Sequence, residues 1–130
     1  RLPIIHHPAY SGGFVSPGVS GVADYLQLGL LPRIFGADMP IFVSYGGRFT
    51  FTEKQCKRIS SYIKRPMGLM KAACPAPGGG VTDARLNELV ELYGNDTMFL
   101  VGGDMFRRGP DIEANMSYFV ERLTKLSERT

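Results

Sequence analysis

The chain has 130 residues, 44% of them apolar and 21% charged, the profile of one globular unit with a core of its own. That apolar content excludes a disordered chain, and no run reaches the about 18 apolar residues that a membrane-spanning helix requires. Fifteen basic against 12 acidic residues leave a formal charge of +3, with the basic residues scattered and not gathered into the patch that nucleic acid requires.

Leu2-Pro3-Ile4-Ile5 is a short, unalternating apolar run, as expected of a parallel strand covered on both faces. It opens a chain that begins with Arg1 and not Met, so the sequence is expected to be a piece of a longer one. The run ends in His6-His7-Pro8, followed by the loop Ser11-Gly12-Gly13. From about Ser20 to Phe35, Val22, Tyr25, Leu26, Leu28, Leu30 and Leu31 recur at helical spacing, weakened or kinked by Gly29 and Pro32. Met39 to Val43 predicts a second strand, running into Ser44-Tyr45-Gly46-Gly47-Arg48. Thr52 with Gln55 is a capping-box signature that opens a helix to about Lys64, stopped by Pro66. A third strand is expected near Ala72 to Ala76, before Pro77-Gly78-Gly79-Gly80. Thr82 is then expected to cap a helix with Leu86, Leu89, Val90 and Tyr93 on one face, closed by Gly94. Thr97 to Val101 gives the clearest strand and runs into Gly102-Gly103-Asp104. Pro110 predicts the first turn of a last helix, with Asp111 and Glu113 favourable at its positive end. Its expected core face is Ile112, Met116, Phe119, Val120 and Leu123.

The chain therefore reads β-loop-α four times, which implies an α/β fold with a parallel sheet and helices packed on it. Two architectures satisfy the pattern. A doubly wound open sheet can be built from a chain of this length, whereas a (β/α)8 barrel needs about 200 residues, so four units make half of one.

In either architecture the ligand sits at the carboxyl ends of the strands. Those ends carry the unusual residues here. Two consecutive glycine-rich exits let backbone N–H groups approach an anion, with a helix amino terminus behind them; tight turns would explain the same glycines. His7 fits a proton shuttle, a phosphate ligand or a structural imidazole. Arg48, between Gly47 and Phe49, fits a planar fork that closes over an anionic substrate, or an exposed loop residue. Asp104 fits a partner for a hydroxyl or a cap for the following turn, and Arg107-Arg108 a solvated turn. No pair of carboxylates occupies adjacent strand exits, so no divalent metal site is read in this segment. Neither a Ser-His-Asp nor a Cys-His arrangement is specified. Two cysteines, Cys56 and Cys74, suit neither a disulfide framework nor a zinc site, and a cytoplasmic protein is expected.

Five motifs in order and register carry a resemblance: His7-Pro8-Ala9, Gly36-Ala37-Asp38, Tyr45-Gly46-Gly47-Arg48-Phe49, Pro75-Ala76-Pro77-Gly78-Gly79-Gly80 and Leu100-Val101-Gly102-Gly103. The chain resembles the carboxyl-terminal part of a RuBisCO large chain, specifically of the RuBisCO-like proteins that do not fix carbon dioxide. The resemblance implies a partial (β/α)8 TIM barrel, its strands five to eight, as one unit over residues 1–130. His7 matches the histidine that ends barrel strand five. Arg48 stands where true RuBisCO has the lysine of loop six. Gly79 and Gly80, with Gly102 and Gly103, match the glycines that cradle one substrate phosphate. Gly78 replaces a serine of the strand-seven motif. The second phosphate of ribulose bisphosphate is held in true RuBisCO by an arginine and a histidine, whose places are taken here by Pro8 and Ile41, and neither can hold a phosphate.

The implied parent is an enzyme that enolises, isomerises or decarboxylates a monophosphorylated keto-sugar or sugar acid through a magnesium-stabilised enediolate, and does not carboxylate ribulose bisphosphate. Its magnesium ligands, near barrel strand two, lie outside this segment, which is expected to be inactive alone. The expected partners are a phosphorylated small molecule and either a second copy, in a homodimer, or the missing amino-terminal half; neither nucleic acid nor a membrane is expected. Two other readings stay open: a non-catalytic half-barrel scaffold or partner-binding module, and an unrelated flavodoxin-like phosphate-binding domain.

Overall fold

The computed structural model describes residues 2–15 and 21–128. In chain order the elements are β1 (Ile5–His6), α1 (Gly12–Val15), a π-helical turn (Leu26–Leu30) continuing into α2 (Leu31–Ile34), β2 (Met39–Val43) and α3 (Glu53–Lys64). There follow β3 (Ala76–Gly78), a 3-10 turn (Asp83–Arg85) leading into α4 (Leu86–Tyr93), then α5 (Gly103–Arg107) and α6 (Ile112–Ser127).

The strands pair in parallel in the order β1-β2-β3, with Ile5 opposite Met39 and Ile41 opposite Ala76. The expected fourth strand lies beside β3 but makes only one parallel bridge, Gly78 with Leu100. The amides of Met98 and Leu100 donate to the carbonyls of Pro75 and Pro77 at 2.9 and 3.1 Å. In a parallel ladder those two residues would return N–H bonds to the same neighbour, and proline has none to give. The pairing is thus one-sided. The third strand begins at Ala76, later than expected, because its pairing with β2 is set by the register of Ile41, Phe42 and Val43.

Helices cover one face of the sheet. Phe42 of β2 packs in a core with Leu28, Cys56, Ile59, Ile63, Leu86, Leu89, Tyr93 and Phe119. Along β2 burial alternates, with Pro40 and Phe42 buried and Met39, Ile41 and Val43 half-buried on the other face. The expected two-sided cover of the first strand is absent: Leu2, Ile4 and Ile5 are 85%, 46% and 53% exposed.

The local signals explain most helices. Thr52 accepts from the Gln55 amide while the Gln55 side chain accepts from the Thr52 amide, completing the capping box of α3. Arg65, before Pro66, turns extended and ends that helix. The helix expected from Ser20 starts outside the described residues, and its middle is π-helical, with the Leu31 amide donating to Leu26. Pro32 has no N–H and its ring conflicts with the carbonyl four residues back, which the wider turn relieves. Gly29 faces the Ile59 carbonyl so closely that a Cβ would lie 3.2 Å from it. Arg33, buried, donates to the carbonyls of Tyr62 (2.6 Å) and Lys71 (2.9 Å) and ties α2 to the end of α3 and the loop beyond.

The last helix differs from expectation. Asp111, and not Pro110, sets its start, accepting from the Ala114 amide at 2.9 Å. Asn115 donates to the carbonyls of Met105 and Gly109 at 3.0 Å each, which turns Asn115 and Phe119 inward. Ile112, Met116 and Val120 therefore face outward, 42%, 47% and 56% exposed, where a core face was expected.

Candidate functional site

The parallel strands deliver their carboxyl ends to one side, where the segments that follow border an open cleft of about 1200 Å³. His7, Arg48, Gly79, Gly80, Gly102 and Gly103 all line it, as do Pro8 and Ile41. Six residues spread over nearly 100 positions of sequence are brought together by the topology alone.

His7 is exposed at the cleft, one residue beyond β1, and strand alternation sends its neighbour His6 the other way. His6 Nδ1 is buried without a hydrogen-bond partner, and burial, then the neighbouring His7, hold its pKa below the ordinary histidine value. Ile41, half-buried on the free face of β2, presents only hydrocarbon to the cleft.

The loop from Tyr45 to Phe49 follows β2 and lies against the exit of β3. Gly80 has φ +71, and a Cβ there would stand 2.7 Å from the Gly47 nitrogen. Two adjacent glycines would ordinarily leave such a loop free to swing. Here Gly47 is needed for backbone-to-backbone packing, since a Cβ on it would meet the Gly80 nitrogen at 2.9 Å, and Gly46 leaves room for the Arg85 guanidinium. Arg48 is exposed, its guanidinium 5.0 Å above the Phe49 ring. Phe49 is 45% exposed and lies beside Gly79, so it covers that glycine and does not anchor the loop in the core.

Gly102 precedes α5 as its cap residue with no side chain to offer, and a Cβ at Gly102 would meet nothing within 4 Å. The fourth exit thus leaves open space where the third is tightly packed. Asp104 joins the two. Its Oδ2 accepts from the Asp83 amide at 2.8 Å, at the start of the preceding helical segment, and its Oδ1 pairs with Arg107 at 3.0 Å. It caps backwards and not the following turn, and the Thr82 side chain, the expected cap, accepts nothing there. Arg107 and Arg108 are not simply solvated, since Arg108 stacks on Tyr118 at 3.5 Å from the ring centre.

Sequence reasoning missed Arg85. Its Nη1 donates to the carbonyls of Tyr45 (2.7 Å) and Gly80 (3.0 Å), and Glu88 pairs with its other nitrogens. Tyr45 donates its hydroxyl to Glu88, and burial, then that carboxylate, push the phenol up to about 12. Arg85 and Glu88 stand three apart, an ordinary helix-surface pairing. Nothing local in the sequence signals the tie to Tyr45, 40 residues away.

Among the described residues, no group of three or more His, Cys, Asp or Glu side chains is placed to hold a metal ion. Nor is any described helix long and apolar enough to cross a membrane.

No family model matches the chain. It is 34% identical over 118 residues to ribulose bisphosphate carboxylase-like protein 1 of Rhodopseudomonas palustris, covering 91% of this chain and 30% of that one. It is 31% identical to the 5-methylthioribulose-1-phosphate isomerase of Rhodospirillum rubrum, over 86% of this chain and 30% of the relative. With the 2,3-diketo-5-methylthiopentyl-1-phosphate enolase of Exiguobacterium sibiricum the identity is 32%, over 78% of this chain and 26% of the relative. The crystal structure of a RuBisCO-like protein from Alicyclobacillus acidocaldarius superimposes with a TM-score of 0.87 at 27% identity, over 99% of this chain and 32% of that one. The chain spans under a third of the length of these relatives. By sequence and by fold, the chain is similar over most of its length to the matching third of RuBisCO-like proteins.

Proposed function

We propose that residues 1–130 form one unit, strands five to eight of a (β/α)8 barrel, in an enzyme that enolises, isomerises or decarboxylates a monophosphorylated keto-sugar or sugar acid. The observation that carries this reading is the asymmetry of the cleft. Its third and fourth exits offer glycine backbone, while on the side of the first two strands, which also present His7 and Arg48, the places expected to hold a second phosphate are taken by Pro8 and Ile41, which have no side-chain donor. A phosphate held by the amides of Gly79, Gly80, Gly102 and Gly103 has no counterpart two strands away, about 10 Å across the sheet. Both relatives named for a reaction are named for a 1-phosphate.

In this reading Arg48 brings a planar, permanently charged fork to the negative charge that develops on an enediolate or carboxylate. His7, on the strand end beside it, holds or moves a proton at the reacting carbons. Magnesium, which the family resemblance implies, is assigned to residues outside this chain, and no step here runs through it.

The half-buried face of β2 and the exposed Leu2, Ile4 and Ile5 support the half-barrel reading, because parallel sheets are normally covered on both faces. We assign that face, with Ile112, Met116 and Val120, to a partner: a second copy of the chain or an amino-terminal half. A compact monomer of residues 1–130 in sedimentation at micromolar concentration would contradict this assignment.

Calorimetry tests the substrate class. A sugar monophosphate is expected to compete well against ribulose bisphosphate for the protein, and preferential, tight bisphosphate binding would overturn the reading.

A further inference from the structure

We propose that Arg85 is a positioning residue that clamps the loop carrying Arg48 to the Gly79–Gly80 turn, so that the loop base and the anion cradle form one rigid unit. The cradle half of this statement rests on the reading above; the clamp itself rests on geometry alone.

One guanidinium nitrogen reaches two carbonyls on different loops, Tyr45 at 2.7 Å and Gly80 at 3.0 Å. The same guanidinium stacks 4.5 Å from the centre of the Tyr45 ring. Glu88 accepts from Nη2 at 2.8 Å and Nε at 3.3 Å, and also from the Tyr45 hydroxyl. The result is a closed circuit in which the backbone, ring and hydroxyl of Tyr45 are all held through the Arg85–Glu88 pair. Gly46 completes it. Its φ is +75, and a Cβ there would lie 2.4 Å from Arg85 Nη1, so the guanidinium occupies the space that any other residue would need. Three residues on from Tyr45, Arg48 projects over the cleft from a base with no slack. A lysine at position 85 could not replace the clamp, since one ammonium cannot span both carbonyls and make a two-point contact with Glu88.

Limited proteolysis of the full protein with trypsin, read as the rate of cleavage after Arg48, tests the clamp directly. Arg85→Ala removes both bonds to the loop and turn carbonyls and is expected to raise that rate about tenfold or more. Cleavage after Arg108 serves as the internal control and is expected to stay unchanged. Arg85→Lys is expected to restore only part of the protection. Saturating inorganic phosphate is expected to slow cleavage after Arg48 in the wild type and not in Arg85→Ala. Unchanged cleavage after Arg48 in Arg85→Ala, or an equal rise at Arg108, would overturn the proposal. If Arg85→Ala does not fold, Glu88→Gln leaves Arg85 in place but weakens its hold. A smaller rise confined to Arg48 then supports the clamp, and no rise refutes it. A wild type indifferent to phosphate would overturn the cradle, while the unliganded comparison still decides the clamp.

Discussion

Replacing Gly80 with alanine separates two costs that the structure places at one residue. An alanine forced to positive φ costs about 1–2 kcal/mol. Gly68, at φ +54 with nothing within 4 Å of its Cβ position, incurs that cost alone. Gly80, at φ +71, adds contacts of 2.7 Å with the Gly47 nitrogen and 3.0 Å with the Tyr45 oxygen. Both are backbone atoms, which cannot rotate away, and such overpacking costs a further ~1–3 kcal/mol. Gly80→Ala is therefore expected to lose about 2–5 kcal/mol, against about 1–2 kcal/mol for Gly68→Ala. Equilibrium urea unfolding at unchanged slope reads the difference. If Gly80→Ala costs no more than Gly68→Ala, the loop is not packed on the turn and the reasoning fails. Gly102→Ala provides the converse. At φ −114 and ψ −80, with open space at its Cβ position, it is expected to lose about 1 kcal/mol, the cost of alanine in place of glycine at a helix cap and less than that of Gly80→Ala. The new methyl group would crowd an anion in the cleft and weaken inorganic phosphate binding about tenfold, the worth of one charge-assisted hydrogen bond.

Three further outcomes are expected. Arg33→Met keeps the apolar stem but leaves the Tyr62 and Lys71 carbonyls without their donor, and unfolding measurements are expected to show a loss of about 2 kcal/mol or more. His6 is held neutral by burial, so its folded pKa lies below the ordinary value of about 6.5. The unfolded chain alone takes up a proton just below that pH, so stability is full above it and falls as the pH drops towards the folded pKa. His6→Leu is expected to flatten the dependence between pH 7 and 5, and an unchanged slope would refute this. Arg48→Ala is expected to lower turnover about a hundredfold with a smaller effect on monophosphate binding, and Arg48→Lys to recover only part; near-normal turnover in Arg48→Ala with none in His7→Ala would move the catalytic role to His7.

What the sequence made legible was local. The Thr52–Gln55 box is a three-residue signal and marks the start of α3 in the structure, and the apolar run Met39–Val43 is the strand of that extent. The strand Thr97–Val101 read equally clearly, yet its pairing depends on Pro75 and Pro77 of its neighbour, which withhold their half of the ladder. The outward turn of Ile112, Met116 and Val120 follows from Asn115 binding the carbonyls of Met105 and Gly109, a choice that apolar periodicity does not encode. The cleft residues were legible because strand exits converge whatever the details of the helices. The ties that position them were not: Asp104 to Asp83 and Arg85 to Tyr45 span 21 and 40 residues, and each looks on paper like an ordinary surface charge.

The central claim, one phosphate held between two glycine-rich exits, is tested most directly by a crystal structure of the full protein grown with sulfate or selenate. One anion is expected between the Gly79–Gly80 turn and the Gly102–Gly103 turn, within hydrogen-bond reach of their amides and below Arg48. An anion beside Pro8 and Ile41 instead, or an anion at both ends of the cleft, would contradict it.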